Sequence, residues 1–271
     1  MPAQSPRARC APFVLFGLFT AIAAVIVGCV TNPETGRKGF AAVPASMMNQ
    51  LGADAYAETL AKETVVASGR QHDIVQRVSQ RIAAASNQNF EWECKLVQSN
   101  AANAFCLPGG KIVVYTGILP VAENEAALAF VMGHEVGHAV AQHGNQRMTQ
   151  TLIVQGGLAV ADITFKDSTQ HDTILGALGA GAQVGVLLPF SRSHESEADE
   201  MGLIYMARAG YDPSVGPGFW ERMGAGGEQP PEYMSTHPSH TTRAADLRAQ
   251  MPKAQAIYAA APKKYGLGDR L

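Results

Sequence analysis

Asn124-Glu125-Ala126-Ala127-Leu128-Ala129-Phe130-Val131-Met132-Gly133-His134-Glu135-Val136-Gly137-His138-Ala139-Val140-Ala141-Gln142-His143 is the stretch from which the rest of this chain is best read. It is apolar almost throughout, opens on a good N-cap residue and stops before Gly144, so it predicts one strong helix. His134 and His138 stand four residues apart and share a face, so both imidazoles can reach one ion. Glu135 projects about 100° away, near enough to meet a metal-activated water but not to ligate in the same way. Two bare histidines and a glutamate are costly to bury on such a helix. The pattern fits a catalytic zinc with three protein ligands and one position left for water, with Glu135 as the general base. The third ligand lies elsewhere. His143, His171, His194, Glu195, Glu197, His237 and His240 are the candidates.

Outward from this helix the pattern is that of one domain, residues 47–271, with an α+β, mainly helical fold. Residues 47–86 carry apolar side chains at helical spacing, with a break near Ser68-Gly69. Phe90–Gln98 and Phe105–Thr116 read as two strands joined by the turn-rich Ser99–Asn103, a β-hairpin next to the zinc helix. Cys94 and Cys106 lie six residues either side of Asn100, so such a hairpin could bring them together as a disulfide; otherwise they are two small buried thiols. Residues 151–190 are rich in alanine and glycine, and Ile174–Phe190 reads as a buried or surface-lying amphipathic helix rather than a membrane span. A helix over Arg192–Ala209 stops at Gly210, with Asp212-Pro213 blocking its continuation. A Gly/Pro-rich loop, a helix over Thr241–Met251 and a ragged tail complete the chain.

The chain has 271 residues, a net charge of −2 and 16% charged side chains, which excludes a largely disordered chain and a polybasic nucleic-acid binder. Its apolar residues concentrate at the start, where Pro12–Val30 is uncharged and follows Arg7 and Arg9. This reads as an export signal over residues 1–28. Ile26-Val27-Gly28-Cys29 resembles a bacterial lipobox, which makes Cys29 the expected mature amino terminus and lipidation site. Residues 29–46 then form a tether between membrane lipid and domain. Val30 is not the aspartate that retains such lipoproteins at the inner membrane, so the expected place is the outer membrane, facing the periplasm.

The segment Ser191-Arg192-Ser193-His194-Glu195-Ser196-Glu197-Ala198-Asp199 resembles the second zinc motif of the gluzincin metallopeptidase family of the CAAX prenyl endopeptidases and HtpX proteases. The resemblance implies a zincin-like domain with one Zn2+ per subunit, Glu195 as the third ligand, and Asp199 supporting a ligand histidine from behind. Glu197 falls about 200° round the helix from Glu195 and reads as solvated; His194, His72, His143, His171 and His240 read as surface or helix-end residues. Asn103-Ala104-Phe105 with Leu107–Ile112 resembles the family's strand beside the zinc helix, whose edge holds substrate backbone. Ala209–Pro213 is similar to the family's exit from the second zinc helix. Thr236-His237-Pro238 with Arg243 resembles a late element near the metal in the periplasmic LoiP/BepA-like lipoprotein branch. That likeness implies a removable fourth ligand or catalytic donor at His237 and an arginine facing the site at Arg243. The implied activity is endopeptidase action on misfolded or unassembled outer-membrane or periplasmic proteins. The alternative is a chaperone or assembly factor that uses the same cleft with little proteolysis.

Overall fold

The computed structural model describes residues 28–183, 188–225, 237 and 242–271. The expected signal segment before Gly28, the 226–236 part of the Gly/Pro-rich loop, Pro238 and His240 lie outside them. In chain order the elements are β1 (Cys29–Thr31), β2 (Lys38–Phe40), α1 (Ala45–Lys62), β3 (Thr64–Val66), α2 (Arg70–Ala85), β4 (Glu93–Gln98), β5 (Ala104–Leu107), β6 (Lys111–Tyr115), the single turn α3 (Leu119–Ala122), α4 (Glu125–Val140), α5 (His143–Phe165), α6 (His171–Ala182), α7 (Leu188–Arg208), α8 (Gly216–Gly224) and α9 (Arg243–Ala260).

The zinc-motif helix α4 is hydrophobic all round, and Ala126 to Gly137 are all buried, as expected of a central helix. Asn124 caps it by accepting a hydrogen bond from Ala127 N at 3.0 Å. It packs against α7 above all, against α2 and against strand β5 of the sheet, within one core that also holds Ile74, Val78, Ile82, Leu96, Ile112, Met201 and Tyr205. The α4–α7 crossing is set by glycines. A Cβ on Gly133 would stand 3.0 Å from Gly202 O, and one on Gly202 would stand 3.1 Å from His134 N. A Cβ at either position would press on the facing backbone, which would have to give by a few tenths of an ångström.

Four expectations change. The first strand pair is not a hairpin: the sheet order is β3-β4-β6-β5, with β4 parallel to β6 and β5 antiparallel to it. Cys94 and Cys106 therefore face Ile112 from opposite sides, about two strand spacings apart, and are free thiols. Burial pushes the Cys94 thiol up to about 12 and Cys106 up as well. Second, the zinc helix ends at Val140, because Gln142 turns left-handed (φ 56°) and starts α5 at His143. Third, residues 29–46 are not an open tether: β1 and β2 form a hairpin whose Asn32, Thr35 and Arg37 bond Glu197 of α7. Fourth, the tail is not ragged: Asp269 O and Leu267 O accept from Glu125 N and Ala126 N, and Leu271 N donates to Glu123 O. Among the described residues no helix is long and apolar enough to cross a membrane.

Candidate metal centre

α4 contributes His134, Glu135 and His138, α7 contributes Glu195 and Asp199, and the late loop contributes His237. Ligand atoms of His134, His138, Glu195 and His237 all lie within 4.8 Å of one another. The two Nε2 atoms of His134 and His138 face each other at 3.0 Å. Glu195 Oε2 lies 3.5 Å from His134 Nε2, and its Oε1 lies 3.5 Å from His138 Nε2. His237 Nδ1 stands 3.2 Å from His134 Nε2 and 3.1 Å from Glu195 Oε2, with its Nε2 3.5 Å from Glu135 Oε1.

This donor set fits zinc. Among the described residues Glu195 Oε1 is buried with no hydrogen-bond partner, and imidazole nitrogens crowd one point where a cation would satisfy them together. Electrostatics agrees. Burial opposes ionisation of Glu195, but His138, His134 and His237 prevail and hold its carboxyl well below the usual range. Burial alone would lower His134, yet bonds to Asp199 and Glu195 carry it up to about 9, so the cluster draws positive charge. Burial pushes His138 far below its ordinary value.

Behind the donors, Asp199 Oδ1 accepts from His134 Nδ1 at 3.0 Å, which leaves Nε2 free to ligate. Asp199 is fixed in turn by Trp220 Nε1 of α8 at 3.2 Å and by two 2.7 Å bonds from Arg243. Arg243 also donates to Glu195 Oε2 at 3.1 Å and lies 3.5 Å over the Trp220 ring. Its guanidinium thus reaches the site through the two carboxylates.

Three residues expected at the surface are buried. His143 bonds both His138 and Glu197, and His194 stacks on His143 with ring centroids 3.9 Å apart. Burial lowers His143, and it lowers His194 to about 2. Burial opposes ionisation of Glu197, but bonds from His143, Thr35 and Arg37 hold it at about 2. Helical spacing put Glu197 opposite Glu195, as it is. What spacing could not show is that the N-terminal hairpin covers that side. His72 and His171 do stay near the surface, beside Asp73 and Asp172.

A cleft of about 370 Å³ opens from Glu135, His138 and His237 and runs past Phe105, Cys106 and Leu107 of β5, one of the two edge strands of the sheet. Residues 67–251 match the sequence profile described as Peptidase family M48. The chain is 34% identical over 232 residues to the mitochondrial metalloendopeptidase OMA1 of Schizosaccharomyces pombe, covering 82% of this chain and 66% of that protein. It is 41% identical over 181 residues to the OMA1 of Arabidopsis thaliana, covering 65% and 36%. It is 30% identical over 161 residues to the beta-barrel assembly-enhancing protease of Escherichia coli (strain K12), covering 56% and 33%. The chain spans between a third and two thirds of the length of these relatives.

Proposed function

The chain belongs to peptidase family M48, and from that footing we propose that it is a zinc-dependent endopeptidase of the bacterial cell envelope. One observation carries the reading: His134, His138 and Glu195 converge on one point, with the Glu135 carboxylate beside it and an open cleft in front. His134, His138 and Glu195 would hold a zinc ion there, which when bound would supply polarisation of the scissile carbonyl and activation of water. Glu135 takes the proton of the attacking water and passes it to the leaving amine. The unpaired edge of β5 receives the substrate as an added strand, so recognition rests on main-chain hydrogen bonds. His237 sits as a fourth donor beside the ligands and works as a latch that leaves before turnover. Digestion of casein or an unfolded membrane protein, with and without a chelator, tests the activity. Glu135→Gln should retain zinc and lose turnover by at least about a hundredfold; digestion at the parent rate would overturn the mechanism.

For location, the relatives' names divide between mitochondrial proteases and a beta-barrel assembly-enhancing protease. The lipobox-like Ile26–Cys29 favours the second setting, as a lipoprotein of the LoiP/BepA-like branch facing the periplasm from the outer membrane. Its substrates there are misfolded or unassembled envelope proteins. Mass spectrometry of the membrane fraction should find an acylated peptide beginning at Cys29. A peptide spanning the Gly28–Cys29 bond would refute lipidation at Cys29 and point to an uncleaved anchor instead.

A further inference from the structure

A buried polar chain leads away from the metal site through His138 and His143, which also border the cleft, and the reaction as described does not use it. His143 Nδ1 lies 2.8 Å from His138 Nδ1, and His143 Nε2 lies 2.9 Å from Glu197 Oε2. One arrangement of protons satisfies all three groups. The Glu197 carboxylate only accepts, so His143 Nε2 carries a hydrogen; neutral His143 then has a bare Nδ1, which accepts from His138 Nδ1–H. That leaves the bare nitrogen of His138 at Nε2, facing His134 and Glu195. The opposite tautomer of His138 would turn an N–H into the donor cluster.

Glu197 is itself held from the N-terminal hairpin. Asn32 Nδ2 donates to its Oε1 at 2.7 Å, Thr35 Oγ1 donates to the same oxygen at 2.5 Å, and Arg37 pairs with Oε2. The hairpin is seated closely. A Cβ on Gly39 would stand 2.3 Å from Gln146 Oε1, the oxygen that also accepts from Arg37 at 3.2 Å. His194 stacks on one face of the His143 ring.

We propose that Glu197 and His143 are positioning residues for His138, and that the Asn32–Arg37 turn of the hairpin is the clamp that fixes them. Each ligand histidine is then backed by a carboxylate: His134 directly by Asp199, His138 at one remove by Glu197. The inference rests on the reading of His134, His138 and Glu195 as zinc ligands. Outer partners of this kind are worth roughly 10- to 100-fold in metal affinity.

The test measures zinc affinity by chelator competition and the visible spectrum of the cobalt-substituted full chain. The variants are Glu197→Gln and the double variant Thr35→Val/Arg37→Met. Each should bind zinc about tenfold more weakly and shift the cobalt bands. A purely structural role would lower thermal stability and leave both readouts at parent values, which would overturn the proposal. If Glu197→Gln does not fold, the hairpin variant decides in the same way, because it leaves Glu197 in place and alters a partly exposed Arg37. A parent chain that binds neither metal would overturn the zinc reading itself, an outcome distinct from unaltered binding in the variants.

Discussion

His237 stands within reach of His134, Glu195 and Glu135 at once, a position that suits two opposite roles. As a latch it occupies the coordination position that water needs; as a donor it would stabilise a developing oxyanion. The bond to Glu195 and the short approach to His134 favour the latch. His237→Ala should therefore raise the rate of proteolysis or self-cleavage, read as casein turnover. A loss of about a hundredfold would assign it as an oxyanion donor instead. At this scale the histidine spacing picked out His134, Glu135 and His138, and the family resemblance added Glu195 and Asp199, which the structure brings to the same place. His143 and Glu197 were not legible, because what buries them is contributed by residues 32–37 and 194, far away in sequence. No local pattern announces a distant cover.

Among the elements, the α4–α7 pair matters most, since it sets Glu195 against the two histidines. Gly133, Gly137 and Gly202 line the crossing, where a Cβ would meet backbone or Met201 Cβ at 3.0–3.1 Å. Gly202→Val should cost about 1–3 kcal/mol by overpacking and weaken zinc binding as the helices part. Thermal unfolding with and without chelator would measure both. The helices were legible because their apolar spacing and caps are local. Strand order was not. Alternation along Phe90–Gln98 and Phe105–Thr116 is the same whether β4 neighbours β5 or β6. The parallel β4–β6 pairing, with β5 on the edge, arises from how the chain crosses over rather than from either strand.

Across the whole molecule, the start of the zinc helix is anchored by distant parts of the chain. Glu125 accepts from Arg77 Nε at 3.0 Å and from Tyr211 Oη at 2.8 Å, and its amide donates to Asp269 O. Burial opposes ionisation, but the bonds from Arg77 and Tyr211 prevail and hold Glu125 below its ordinary value of 4.5. A carboxyl that gives up its proton more readily when folded stabilises fully above the unfolded value. That stabilisation is lost as pH falls through the lower folded value. Glu125→Gln should therefore cost roughly 1.5–3 kcal/mol at neutral pH and flatten the decline in stability below about pH 4.5, measured as urea midpoints across pH. An unchanged acid limb would show that other carboxylates govern it.

The seated hairpin has a further consequence for reach. Eighteen residues of free leash would let a protein wander roughly 25 Å from its anchorage. Here that leash is reeled in: Cys29 opens β1 itself, and the turn that follows is fastened to α7. If Cys29 carries lipid, the body of the domain sits directly at the bilayer, with no leash to carry its cleft away from the lipid surface.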